Sequence, residues 1–200
     1  MSTIQQIQDG IALRARDTGQ AEITSANIIK LINDAARDAA SRGWLISLSD
    51  NTSLSYVTST HEYAVPASFA YIRDLLDDGD LLRRSYWDMR YISSSAKIVF
   101  HGEASDIRIE NSSVITVVGF KKPKEDYSAV GDTVDAGIEA FLRDRGLAYV
   151  LDYMSAGLSE LDTLRERARE RAYRDSEVIL QTHQEIEDRL VPLLRQVPGT

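Results

Sequence analysis

Cysteine is absent from this 200-residue chain, which rules out disulfides and thiolate-bound metals and leaves stability to packing or association. Positive charge is scarce too. Against 31 acidic residues stand 23 lysines and arginines, a formal charge of -8, so the chain lacks the cationic footprint that sequence-specific binding to nucleic acid requires. Long apolar runs are missing: "MSTIQQIQDGIALRARDTGQ" has a polar residue every few positions and reads as neither signal peptide nor membrane anchor. A soluble protein that stays where it is made is expected, and the sequons at Asn51 and Asn111 then carry no meaning. His61, His101 and His183 are far apart, and none has a second histidine at ligand spacing, so no metal or cofactor is expected. No Gly-x-Ser-x-Gly elbow occurs, and "GDTVDAG" and "HGEASD" lack the spacing of a phosphate-cradling loop. "DDGD" at 77–80 lacks the alternating ligands of a calcium loop. The pairs Glu103 with Asp106 and Glu125 with Asp126 are available for acid–base work, but a solvated loop explains them without it. The expectation is a protein that is not an enzyme.

What the chain does have is periodicity. Ile4, Ile7 and Ile11 make one helical stripe; a second, capped by Thr24 or Ser25, carries Ile28, Leu31, Ile32, Ala35, Ala36 and Ala39 and stops at Gly43 before Trp44. From Leu45 to Val57 the pattern turns to loose period-two alternation, as in a half-buried antiparallel strand. Asp78-Gly79, set between apolar pairs, is the strongest hairpin signal, and "AKIVFHGEASDIRIENSSVITVVGF" reads as three short strands broken at His101-Gly102 and Asn111-Ser112. After Gly131 the helical period returns: Asp132 or Thr133 is positioned to cap a helix carrying Val134, Ile138, Phe141, Leu142 and Tyr149, and a longer helix follows from near Ser159 toward Arg195. The predicted fold is α+β, a helical bundle with a small antiparallel β domain inserted in it. Its parts are N-terminal helices at 1–44, a β region at 45–122, a bundle at 132–175 and a C-terminal helix or tail at 176–200, one domain with an extension.

Two stretches of the last helix are distinctive. "LRERARERAYRDSE" from Leu164 reads as a solvated, salt-bridged face, with Glu170 paired to Arg174 and Glu166 to a nearby arginine. In "VILQTHQEIEDRLVPLLRQV", Ile179, Ile186 and Leu193 recur every seven residues beside His183, Leu190 and Val197, a narrow apolar seam suited to a partner groove or to folding back on its own domain. Pro192 ends or kinks this helix, leaving Leu193 and Leu194 as a terminal hook. On the docking reading, a chain cut after Asp175 still folds.

The succession "ITSANIIKLINDAARDAASRGW", a strand, then "THEYAVPASFAYIRDLLDDGDLL" resembles the head-to-tail adaptor proteins of tailed bacteriophages, including the tail tubular, gatekeeper-type adaptors. The matching residues are Leu31, Ile32, Asn33 and Trp44, then Tyr63, Pro66 and Phe69, then Asp78 and Gly79, continuing to "VGFKKP" and the helices after Asp132. The resemblance implies a structural neck protein of the virion, assembled in the host cytoplasm. It implies a ring of about twelve copies that binds beneath the portal protein, continues the DNA channel without specific DNA contacts, and receives tail, stopper or nozzle proteins. An acidic lumen suits that role, because it repels the phosphates sliding past. C-terminal segments in such adaptors reach the portal, which makes Ile179, Ile186, Leu190, Leu193 and Leu194 the expected docking residues. Trp44, Tyr63, Pro66 and Phe69 are expected as core, with Tyr63 and Phe69 packed on the helix that Trp44 closes. The alternatives are a non-viral helical interaction module and a small carboxylate-dependent enzyme built on Glu103 and Asp106.

Overall fold

The computed structural model describes residues 2–17, 19, 22–51, 54–102, 109–156, 163–190 and 195–196. Helices and antiparallel sheets segregate along the chain, giving the α+β class expected from the sequence. The chain forms two compact units. One is helical and comprises residues 1–46 and 123–188; the other is β-rich and comprises 47–122 and 189–200.

The helical unit starts with α1 (Ile4–Ala15), where Thr3 and Gln6 form a reciprocal capping box. Its apolar stripe of Ile4, Ile7 and Ile11 is buried as the three-to-four spacing requires. At the other end Arg16 takes a left-handed conformation, and the Arg16 and Asp17 N–H groups donate back to the Leu13 and Ala12 carbonyls. The second helix, α2 (Ser25–Ser41), is capped by the Thr24 hydroxyl, which accepts from the Asn27 N–H. It closes in a Schellman motif: Gly43 adopts φ 84°, its N–H donates to the Ala40 carbonyl, and the Trp44 N–H donates to the Ala39 carbonyl. Trp44 is thereby delivered into the core by the helix stop itself.

The third helix, α3 (Glu139–Ala156), packs against both α1 and α2, and buried Phe141, Leu142, Leu147, Ala148, Val150 and Leu151 surround it on most sides. A Cβ on its Gly146 would lie 3.0 Å from Ile11 Cδ1 and 3.5 Å from Ile32 Cγ1, so this glycine sets the approach of the three helices. The helix begins later than the sequence predicts. Asp132 does not cap it; its carboxylate accepts from the Ser128 and Ala129 N–H groups and from Lys124 Nζ, while its backbone carbonyl accepts from Ile4 N–H. With Gly137 at φ 97°, the helix starts only at Glu139, although Val134 and Ile138 are buried all the same. The last helix, α4 (Thr163–Leu190), turns Ala172, Ser176 and Leu180 inward.

The β unit holds two antiparallel sheets. One has the order β1 (Ile46–Asp50), β7 (Ile115–Lys121), β3 (Tyr71–Asp77), β4 (Asp80–Leu81), with β8 (Arg195–Gln196) also pairing to β3; the other has the order β2 (Glu62–Ala64), β6 (Ser95–Phe100), β5 (Trp87–Ile92). The β3–β4 hairpin turns at Asp78 and Gly79, with φ 47° and 89°, as the sequence predicts. Between β3 and β7 the register shifts around Arg73, and Gly119 on β7 comes so close that a Cβ there would meet the Tyr71 carbonyl oxygen at 2.0 Å.

Three strand expectations need correction. The strand predicted over Leu45–Val57 stops at Asp50, and among the described residues after it an isolated bridge joins Ser55 to Val114. Of the three strands read into residues 96–120, the structure describes β6 and β7, and the middle one falls mostly on residues 103–108, outside the described residues. Strand β5 was not anticipated; it joins β6 through Ser93 and Ser94 at φ 50° and 64°, left-handed positions that serine seldom advertises.

Candidate functional site

Arg145 interrupts the apolar run of α3, yet its side chain is only 4% exposed. Burial of a guanidinium is tolerable only if its charge is paired and its donors are used. Its Nη2 donates to Glu177 on α4, and its Nε lies 3.0 Å from Asp38 Oδ2 on α2, a charge pairing without hydrogen-bond geometry that leaves this one donor unsatisfied. The Phe141 and Tyr173 rings lie 5.5 Å from its Cζ, and the Tyr149 ring 6.0 Å, within cation–π range. Arg42 closes the network: its Nε is 2.9 Å from Asp38 Oδ1 and its Nη1 3.2 Å from Glu177 Oε2. Two arginines and two carboxylates thus bind three helices together. Burial alone would push the Glu177 carboxyl up, but the hydrogen bond and charge of Arg145, with Arg42 behind it, hold it below its ordinary value. Burial and the nearby Asp38 carboxylate push the Tyr149 phenol up. Such a charge-balanced set ties the helices of this unit together. Sequence reading missed it because Asp38, Arg145 and Glu177 are far apart in the chain; a charged pair, Asp144-Arg145, inside an apolar helix was the available signal.

Trp44 is buried as predicted, with its ring stacked on His183 of α4 at 3.9 Å and 9° and tilted against Phe141 at 5.2 Å. His183 Nε2 also lies 3.1 Å from the Leu45 carbonyl oxygen. This contact divides the predicted seam. Ile179 packs against the helical core beside buried Leu180, and His183 is engaged with Trp44, so this part folds back on its own unit. Ser176 and Leu180 are buried in the helical unit, while Val178, Gln181, Thr182 and Glu185 between and beyond them stay exposed, so the seam is anchored at its start by a few side chains. Ile186 remains on the surface, 51% exposed. The Leu190 side chain and residues Leu193 and Leu194 lie outside the described residues.

Tyr63 and Phe69 are not part of the helical core cluster that holds α2 and Trp44. They belong to the β unit's own cluster, where Phe69 is buried beside Tyr56, Ile72, Trp87 and Phe100, and Tyr63 is half-buried against the Tyr56 and Phe100 rings. Pro66 is buried and its carbonyl accepts from the Phe69 N–H, making the turn that carries the chain from one sheet to the other. The Tyr63 hydroxyl accepts from the Val57 N–H at 2.7 Å and lies 3.0 Å from the carbonyls of both Val57 and Thr60.

Open clefts lie on both units among the described residues. In the helical unit, a cleft of about 440 Å³ runs between α1, α3 and α4, lined by Arg14, Leu147, Leu164, Arg167, Ala168 and Arg171 with Asp175 at its end. A shallower notch of about 370 Å³ on the same unit is lined by Leu31 and Asp34 of α2 and by Tyr149, Asp152 and Tyr153 of α3. In the β unit, the β3–β4 hairpin places Asp77, Asp78 and Asp80 with Glu110 around a cleft of about 500 Å³, a concentrated acidic surface. The arginines of α4 differ from the pairing expected of them: Arg165 grips Glu22, Arg169 reaches Asp152, and Arg171 stands 3.8 Å from Asp175.

Among the described residues no group of three or more histidine, aspartate and glutamate side chains is placed to hold a metal ion, and no helix is long and apolar enough to cross a membrane. Glu103 and Asp106 lie outside the described residues. No family model matches the chain, and no curated protein matches it.

Proposed function

We propose that this chain is a head-to-tail adaptor of a tailed bacteriophage, a structural protein of the virion neck that forms a ring beneath the portal and extends the DNA channel. One observation carries the reading: the residues that bear the resemblance sit at the joints of the fold. Asn33 ties α2 to the segment leading into α3, Trp44 links the end of α2 to α4, Pro66 and Phe69 make the turn between the sheets, and Asp78 with Gly79 makes the β3–β4 turn. Residues in these positions decide architecture, so a likeness confined to them is a likeness of fold plan.

Charge agrees with a channel role. A net charge of -8, with Asp77, Asp78, Asp80 and Glu110 gathered at one hairpin, supplies a surface that repels phosphate and lets DNA slide. The ring is assembled in the host cytoplasm, contacts portal above and tail or stopper proteins below, and carries no catalytic duty. Co-sedimentation with tailless, portal-bearing heads, followed by electron microscopy, tests it. Added density beneath the portal is the expected result; protein that stays in the supernatant at saturating concentration contradicts the reading.

A further inference from the structure

We propose that the arginine-lined cleft and the tyrosine-lined notch of the helical unit are the two halves of one interface between copies of this chain: the Arg167–Arg171 edge of one copy seats in the Asp34–Tyr149–Asp152–Tyr153 notch of the next. The inference rests on the ring reading and assigns its contact surface.

The first support is placement. Leu147 floors the arginine cleft, whereas Tyr149, Asp152 and Tyr153 line the notch, and all four lie on α3. At about 100° per residue, these three lie roughly 200°, 140° and 240° around the helix from Leu147. The clefts therefore open on opposite sides of α3. A head-to-tail contact that closes into a ring needs two different, complementary patches facing away from each other, whereas a two-fold dimer needs one self-complementary patch.

The second support is chemistry. Arg167 is exposed and has no ion-pair partner among the described residues, while the Arg171 side chain is 80% exposed and only loosely opposed by Asp175. Facing such groups, the notch offers two carboxylates and two phenol rings, the combination a guanidinium engages through its planar fork and its face. Asp34 already pairs with Arg37, and Asp152 with Arg169 and the Tyr173 hydroxyl, yet both side chains remain 42% exposed and each carboxylate oxygen can accept from a further donor. The chain uses this same pairing internally, where Arg145 sits among Phe141, Tyr149 and Tyr173 with Asp38 and Glu177. Apolar surface matches as well: Leu164, half-exposed beside the arginines, faces a notch bordered by Leu31 and Tyr153.

Because the chain has no cysteine, directed cross-linking is clean. The full-length protein carrying Arg167→Cys and Tyr153→Cys, both surface positions, is oxidised alone at high concentration and on portal-bearing heads, and its disulfides are mapped by peptide mass spectrometry. Ladders of three or more chains joined 153-to-167 are the expected result. A second measurement uses charge: Arg167→Glu/Arg171→Glu and Asp34→Arg each fail to assemble alone, and an equimolar mixture recovers assembly at least tenfold over either. Rings that form without the 153-to-167 bond, or bonds only between two 167 positions, overturn the interface and leave the ring reading standing. No ring of the unsubstituted protein, alone at high concentration or on portal-bearing heads, overturns both.

Discussion

The carboxamide of Asn33 and the backbone of Tyr127 exchange two hydrogen bonds: Asn33 Nδ2 donates to the Tyr127 carbonyl at 3.1 Å, and the Tyr127 N–H donates to Asn33 Oδ1 at 2.9 Å. A side chain thus stands in for a strand partner, fixing the segment that returns from the β unit against α2. Below it the Tyr127 ring is buried, and its hydroxyl has no hydrogen-bond partner. Burial, with the nearby carboxylates of Asp135 and Asp132, pushes that phenol up to about 12.

The two residues should respond oppositely to minimal substitution. Asn33→Ala removes both bonds and strands a backbone donor and acceptor, which costs about 1–3 kcal/mol. Tyr127→Phe removes only an unsatisfied hydroxyl and should be neutral or stabilising by up to about 1 kcal/mol. Chemical denaturation measures both; a Tyr127→Phe penalty equal to that of Asn33→Ala would show that the hydroxyl has a partner.

Arg145→Ala leaves Asp38 and Glu177 with Arg42 alone and opens space among three aromatic rings. The expected cost is about 3–5 kcal/mol, as for other buried pairs broken from one side. Arg145→Lys should recover less than half of it, because an ammonium cannot span two carboxylates with a planar fork. Full recovery by lysine would reduce the network to simple charge neutralisation.

Glu177 gives the network a pH signature. Its folded carboxyl titrates below its ordinary value of 4.5, so its contribution to stability is fully present above that value and is lost as pH falls through the lowered one. The stability gap between the native protein and Glu177→Gln should hold level from neutral pH down to about 5 and narrow below about 4.5. Melting temperatures across that range check it; a gap that widens on acidification would reverse the sign.

Gly119→Ala forces a methyl group into the Tyr71 carbonyl, and the strand pair must part to admit it. A loss of more than about 2 kcal/mol is expected, an overpacking penalty aggravated because the obstacle is backbone. Hydrogen exchange should locate the lost protection in β3 and β7. Unchanged protection there would mean that the register shift around Arg73 absorbs the methyl.

What the sequence made legible was whatever depends on near neighbours. The isoleucine stripes of α1 and α2, the Thr24 cap, the stop at Gly43 and the Asp78-Gly79 turn are each decided within a few residues, and each is present. Strand β5 escaped because its turn uses Ser93 and Ser94, which carry no strong left-handed preference. The start of α3 was misread because Asp132 had two possible uses, and the N-terminal segment, pairing Thr3 with Thr133, selected the loop. Of the candidate site, local pattern located the α4 seam but not its division by the Trp44–His183 stack, a contact between residues about 140 positions apart. The Arg145 network was hidden for the same reason: ion pairs across helices leave no spacing to read.

The proposal's central claim is a ring of this chain on a phage portal, and native mass spectrometry of the full-length protein, alone and after incubation with bacteriophage portal rings, tests it most directly. The expected result is a single complex in which the portal ring carries a closed complement of about twelve adaptor chains, with few partially filled rings, because each bound copy offers a cleft to the next. A portal ring that binds no copies, or the chain found only as a monomer or two-fold dimer at every concentration and portal ratio, would contradict it.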